Sequence, residues 1–373
     1  MSVEKLVELS RFYGSNPEYV LAGGGNTSWK DEKTLYVKAS GFSLADAAAG
    51  SFVQMDRKAL ALILKKTYPQ SSAERESEVL SDMMAARKPG EEQKRPSVEA
   101  VLHDIIPFSF VVHLHPALVN GLTCSMQGEE AVREIFAKDA IWVPSINPGY
   151  VLSRAVKKAI DDYSVEYNKQ AEIIFLQNHG IFVGADNSDK IKKLYDKIMS
   201  KISAKIKWKP DFSDEKRENV GINTSEAAKT LAELDEENKA VGFMTGTQIA
   251  AFLKSRSTFA PLSSAFTPDH IVYAGSDPLF TQEQTAEEIR RDWKAHVQKT
   301  GRNPKIIAVQ NVGVFSAAKT EKAAGLALDL FKDSVKIAVY TENFGGPLFM
   351  TADKIDFINN WEVERFRSDV SMK

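Results

Sequence analysis

Cysteine is almost missing from this chain. Its 373 residues contain one, Cys124, which excludes an intrachain disulfide and fits a reducing compartment. Long apolar runs are missing too, since none approaches the roughly 20 residues that a bilayer-spanning helix needs. Neither sign of charge is in excess, with 48 Lys and Arg against 50 Asp and Glu. Nor is there a basic stripe with interleaved aromatics, so the electrostatic footprint of a nucleic-acid binder is absent. The opening VEKLVELSRFYG lacks the basic and apolar regions of a secretion signal. No Gly-Lys-Ser/Thr follows a glycine loop at Walker A spacing, and the dinucleotide pattern Gly-x-Gly-x-x-Gly does not occur. The expectation is a soluble cytoplasmic protein, long enough for two domains, that binds neither nucleic acid nor membrane.

Histidine is scarce as well, and its distribution is informative. Of six, two stand one residue apart in FVVHLHP (110–116), and a third lies in IIFLQNHGIFVGA (173–185). Alternate residues of a strand project to one side, so His113 and His115 share a face. Neutral imidazoles aimed at one point suit a divalent metal, and three of them leave a coordination position open, as in a catalytic zinc site. The competing reading for any single histidine is a satisfied polar residue at a strand end.

Other segments supply polar partners. YVLAGGGNTSWK (19–30) holds Gly23, Gly24 and Gly25, followed by Asn26, Thr27 and Ser28. Such a stretch can cradle an anion on freed N–H groups, or it can be an ordinary glycine turn. TLYVKASGF (34–42) reads as a strand ending in a second small turn at Ser40 and Gly41. RPSVEAVLHDIIP (95–107) reads as a helix with Pro96 in its first turn, Ser97 satisfying an early N–H, and Pro107 closing it. Glu99 and His103 then share a helix face at i, i+4. Glu99 can act as a general base or only as a helix-dipole partner, and His103 reads as structural. The cluster KIKKLYDKIMSKISAKIKWK (190–209) is the solvated face of a helix.

The second half repeats part of the first. KIIAVQNVGVFSAAKTEKAAGLALD (305–329) aligns with EIIFLQNHGIFVGADNSDKIKKLYD (172–196), with Gln310, Asn311, Gly313 and Phe315 each 133 residues after Gln177, Asn178, Gly180 and Phe182. Val312 replaces His179, so the second copy is expected to hold no metal. LSSAFTPDHIVYAG (262–275) is a looser parallel to residues 38–56, and 357–370 reads as a helix packing Trp361 and Phe366. The division expected is a catalytic domain over 1–210, a linker over 211–240 and a degenerate lobe over 241–373.

Gly-Gly-Asn-Thr-Ser, Ser-Gly, Pro-Ser-x-Glu, His-x-His-Pro and Asn-His-Gly, in that order, resemble the class II aldolase/adducin superfamily, strongly over 1–210. The whole is most similar to the aldolase part of bifunctional rhamnulose-1-phosphate aldolase/dehydrogenase proteins, whose dehydrogenase activity is not expected here. The resemblance implies an α/β fold, a layered α/β/α domain with a smaller C-terminal lobe. It implies Zn2+ (or Mn2+, Co2+ or Fe2+) on His113, His115 and His179, with Glu99 catalytic. Asn26, Ser28, Ser40, Gly41 and Ser97 correspond to positions that hold a substrate phosphate. The implied activity is reversible cleavage of a ketose 1-phosphate to dihydroxyacetone phosphate and an aldehyde, by a homo-oligomer such as a tetramer. Val98 departs from the Ser-Ser-Glu of many members, and the aldehyde-side proton donor has no clear match, Tyr150 and Glu130 being the candidates. A sugar-phosphate epimerase on the same metal site, or an adducin-like scaffold, are the alternatives.

Overall fold

The computed structural model describes residues 2–219, 226–234, 240–282 and 285–363. The chain divides into two compact units, one built from residues up to 123, 127–205 and a C-terminal segment from Trp361, the other from 124–126 and 206–360. No helix among the described residues is long and apolar enough to cross a membrane.

The first unit contains α1 (Ser2–Gly14), β1 (Asn26–Lys30), β2 (Thr34–Lys38), β3 (Phe52–Asp56), α2 (Arg57–Ile63), α3 (Ser72–Ala85), α4 (Ala100–Ile105), β4 (Phe110–Leu114) and α5 (Ala117–Thr123). It continues through α6 (Gly128–Phe136), β5 (Ile141–Val143), α7 (Tyr150–Tyr167), β6 (Ile173–Leu176), β7 (Gly180–Ala185) and α8 (Ser188–Ser203). Its strands form one seven-stranded sheet in the order β3-β2-β1-β4-β7-β6-β5. β4 is wholly buried and sits mid-sheet between β1 and β7. A strand covered on both faces reads as a continuous apolar run, which is why its histidine is conspicuous. Leu35, Val37, Val53 and Met55 form a core with α2 and α3, and Val111, Ile174, Leu176 and Phe182 form another with Val156 and Ile160 of α7.

Helix α4 is shorter than the sequence suggests. Pro96 bridges Ala39 of the strand region instead of opening a helix, and Ser97 N–H donates to Lys38 O at 3.1 Å. Helical structure starts only at Ala100. Its far end is fastened by the buried Lys30, whose ammonium donates to the carbonyls of His103 and Ile106. Burial pulls the Lys30 pKa down to about 7.

The second unit contains β8 (Lys216–Asn219), α9 (Glu226–Leu234), β9 (Ala240–Thr245), α10 (Thr247–Phe252), the single turn α11 (Arg256–Phe259), β10 (Leu279–Thr281), α12 (Ala286–Thr300), β11 (Ile306–Val309), β12 (Gly313–Ala318), α13 (Glu321–Thr341) and α14 (Ala352–Asn360). The 211–240 stretch therefore carries a strand and a helix. The five strands run in the order β10-β11-β12-β9-β8, which is the order β5-β6-β7-β4-β1 of the first unit. The parallel pair β5–β6 has its counterpart in β10–β11, and the antiparallel pairs β6–β7 and β4–β7 in β11–β12 and β9–β12.

The repeat thus covers a whole five-stranded sheet. Asn178 and Asn311 turn their hairpins at φ 56° and 58°, left-handed values that asparagine tolerates. Register places Phe243, Thr245 and Val312 where the first unit has His113, His115 and His179. The looser parallel fails. Residues 270–274 form a π-helical turn, whereas 52–56 are strand β3. Of the expected tail helix, 364–370 lie outside the described residues, Phe366 among them, and α14 ends at Asn360.

Candidate metal centre

The three histidines converge. His113 comes from mid-sheet β4, His115 from just beyond it, and His179 from the turn between β6 and β7. That turn is brought over by the β4–β7 pairing, in which His113 stands opposite Phe182. Close approach is possible because position 180 is glycine: a Cβ there would lie 2.5 Å from Leu114 O and from His115 Cδ2. His115 Nε2 is 2.8 Å and His179 Nε2 3.3 Å from His113 Nε2, and the three candidate ligand nitrogens all lie within 4.8 Å of one another. Bonds of about 2.0–2.1 Å in tetrahedral geometry put ligating nitrogens about 3.3–3.4 Å apart, close to the second spacing. His113 is buried, and the other two are half-buried, so the group opens outward through them.

Hydrogen bonding defines which nitrogen faces the centre. His113 Nδ1 lies 3.0 Å from Ile181 O, which can only accept, so Nδ1 carries the proton and Nε2 presents its lone pair. The ring is held flat against Phe182, with centroids 4.0 Å apart and planes 15° from parallel. Glu99 stands against this group at the head of α4. Its Oε1 is 3.4 Å from His113 Nε2 and 3.5 Å from His179 Nε2. That oxygen is buried and accepts no hydrogen bond among the described residues. A carboxylate oxygen without a donor, facing a nitrogen lone pair, is costly unless a cation lies between them. The donor set therefore fits a divalent ion.

The residues expected at a phosphate are placed differently from one another. Ser28 is fully buried with its hydroxyl 2.7 Å from His103 Nδ1, and Asn26 donates to Glu99 Oε2 at 2.6 Å. β1 begins at Asn26, and strand alternation turns the Asn26 and Ser28 side chains inward together. Ser40 and Gly41 do lie beside Ser97: Ser40 N–H donates to Arg95 O, and the Ser97 hydroxyl receives Glu99 N–H at 3.2 Å. Gly41 adopts φ 89°. Lys38, which the sequence reading passed over, donates to Phe42 O at 2.8 Å and Gly23 O at 3.3 Å, setting a buried ammonium between the two glycine turns. A lysine at the end of a strand, two residues before Ser-Gly, was the available signal. The proton-donor candidates are not assembled with this group. Tyr150 packs among α2 and α3 residues with its hydroxyl on Lys66 O, and Glu130 is exposed on α6.

Comparison with known proteins bears on this geometry. The family described as Class II Aldolase and Adducin N-terminal domain matches residues 4–199. The chain belongs to that family. The uncharacterized oxidoreductase YuxG of Bacillus subtilis (strain 168) is 22% identical over 420 residues, spanning 98% of this chain and 58% of its own length. This chain therefore spans a little over half of that relative. Among solved structures, the N-terminal class II aldolase domain of a conserved Thermoplasma acidophilum protein is 24% identical, covers 55% of this chain and 93% of its own, and has a TM-score of 0.46. The L-fuculose-1-phosphate aldolase of Thermus thermophilus is 14% identical, covers 53% and 92%, and has a TM-score of 0.34. The class II aldolase-like α/β fold with a smaller second lobe accords with this family.

Proposed function

We propose that the first unit is a divalent-metal-dependent aldolase that cleaves a ketose 1-phosphate to dihydroxyacetone phosphate and an aldehyde. The observation that carries this reading is Glu99 Oε1, buried, without a hydrogen-bond donor, and 3.4–3.5 Å from two of three convergent imidazoles. Family membership supports it, as does the grouping of His113, His115 and His179.

His113, His115 and His179 would hold the ion, zinc being the first choice for an all-imidazole set. When bound, it supplies Lewis acidity toward the ketose carbonyl and the adjoining hydroxyl. Glu99 handles the proton on the carbon next to that carbonyl. In cleavage, the hydroxyl on the aldehyde-forming carbon gives up its proton to solvent and becomes the aldehyde carbonyl, as the bond between the two carbons breaks and its electron pair passes to the ketose side. The Glu99 carboxylic acid then protonates the ketose-side carbon and regains its own proton from solvent; in condensation, the carboxylate removes the same proton from that carbon and the aldehyde oxygen takes one from solvent. Ser40, Gly41 and Ser97, beside the Lys38 ammonium, would hold the phosphate and fix the sugar at a distance from the reacting bond. Val98 offers no hydroxyl of its own to that task.

The name of the Bacillus subtilis relative concerns a longer protein and is not transferred to this chain. The test is a retro-aldol assay of metal-loaded protein on a panel of deoxyketose 1-phosphates, with release of dihydroxyacetone phosphate as the readout. Release that disappears in Glu99→Gln supports the reading. Stereoisomer interconversion without triose release would replace it by an epimerase, and inertness toward the panel at full metal occupancy would overturn it.

A further inference from the structure

Behind Glu99 lies a row of buried polar groups that the cleavage chemistry above leaves unused. Asn26 Nδ2 donates to Glu99 Oε2 at 2.6 Å, Asn26 Oδ1 accepts from His103 Nε2, and His103 Nδ1 lies 2.7 Å from Ser28 Oγ. Ser28 and His103 are wholly buried, and Asn26 and Glu99 nearly so. β1 contributes two members at i, i+2, and the α4 segment contributes two at i, i+4.

The direction of each bond is forced. A carboxylate only accepts, so the Asn26 amide must turn its NH2 toward Glu99 and its oxygen toward His103. His103 Nε2 must then carry a hydrogen. Burial holds this ring neutral, so Nδ1 accepts and the Ser28 hydroxyl donates to it. All three bonds therefore run one way, from Ser28 to Glu99, and bonds in such a chain polarise one another. The same strand residue, Asn26, pairs across the sheet with His113, so the row and the imidazole cluster share one backbone frame.

We propose that His103, acting through Asn26, is a positioning residue that anchors Glu99 Oε2 and leaves Oε1 as the oxygen turned toward the cation and the substrate. The proposal rests on the reading of Glu99 as the proton-transfer group of a metal-dependent aldolase. It gives Asn26 and Ser28 a part in holding the carboxylate.

The test uses the full chain loaded with Co2+, whose visible absorption reports whether the carboxylate keeps its place beside the ion, together with kcat and KM on the best panel substrate. His103→Phe is expected to keep its cobalt and its KM, to lose about 10- to 100-fold in kcat, and to shift its spectrum toward that of Glu99→Gln. His103→Gln, which still offers an N–H to Asn26, should retain the wild-type spectrum and most of kcat. Should His103→Phe not fold, Asn26→Asp removes the donor to Glu99 at equal volume and is expected to show the same kcat loss and spectral shift. A wild-type spectrum and kcat in the folded variant, or equal losses in His103→Phe and His103→Gln, would overturn the proposal. If wild type neither takes up cobalt nor cleaves any panel member, the aldolase reading falls and this role falls with it. An active, cobalt-loaded wild type beside an unaltered variant removes the positioning role alone.

Discussion

Replacing His103 by glutamine should flatten the acid limb of the stability curve. The imidazole is fully buried, and burial, followed by the nearby His113 and Lys30, holds its pKa well below the ordinary 6.5. In the unfolded chain the same ring titrates normally. Below pH 6.5 the unfolded state therefore binds a proton that the folded state refuses. Stability then rises with pH up to 6.5 and is lost as the pH falls beneath it. For one such group the slope is at most about 1.4 kcal/mol per pH unit, so going from pH 6.5 to 5 removes at most about 2 kcal/mol. That is a large share of the 5–15 kcal/mol or so that holds a typical domain together. Glutamine can keep the donor to Asn26 but does not titrate. Urea unfolding of metal-free wild type and His103→Gln at pH 7 and pH 5 measures the difference directly. Wild type is expected to lose more stability than the variant, by up to about 2 kcal/mol. Parallel pH dependence would refute the neutral burial of His103, and with it the bond directions assigned along Ser28, His103 and Asn26.

Two glycines give sharper mechanical tests. Gly180→Ala places a methyl 2.5 Å from Leu114 O and from the His115 ring, so β7 must move away from β4. The expected cost is about 1–3 kcal/mol in urea unfolding, with weakened metal uptake in equilibrium dialysis. An alanine variant matching wild type in both would show that the hairpin is not what sets His179 against His113. Gly149→Ala combines a backbone at φ 99° with a Cβ 2.3 Å from the buried Glu76 Oε2, which receives Tyr150 N–H. Strain alone predicts about 1–3 kcal/mol of destabilisation, read as a lowered thermal midpoint, while metal content should be unchanged.

Some features could be read from residue order, and others are set by sheet geometry. His113 and His115 were legible because the strand period is two, and their grouping with His179 because a strand–Asn–His–Gly turn is a recognisable unit. Glu99, read as close in sequence to the histidine strand, lies beside His113 and His179. Asn26 and Ser28 were read as anion-facing because glycine precedes them. The chain leaves its loop at Asn26, however, and a strand turns alternate residues together, here toward α4. The helix start at Ala100 was hidden by Pro96 and Ser97, which resemble a helix entry but pair with Ala39 and Lys38 instead. The repeat was visible only where Gln, Asn, Gly and Phe recur. Its extension through β8 and β9 follows from strand pairing, which constrains register and burial but not identity. Phe243 and Thr245 at the positions of His113 and His115 erased the most recognisable marks.

The central claim is that three imidazoles from two segments share one cation. Metal analysis after equilibrium dialysis against Co2+ or Zn2+, comparing wild type with His179→Val, tests it most directly, since valine is what the second unit carries at the matching position. The account predicts one tightly held ion per chain in wild type and its loss in the variant, with both proteins folded by far-ultraviolet circular dichroism. A wild type that retains no ion, or an ion retained equally in His179→Val, would contradict it.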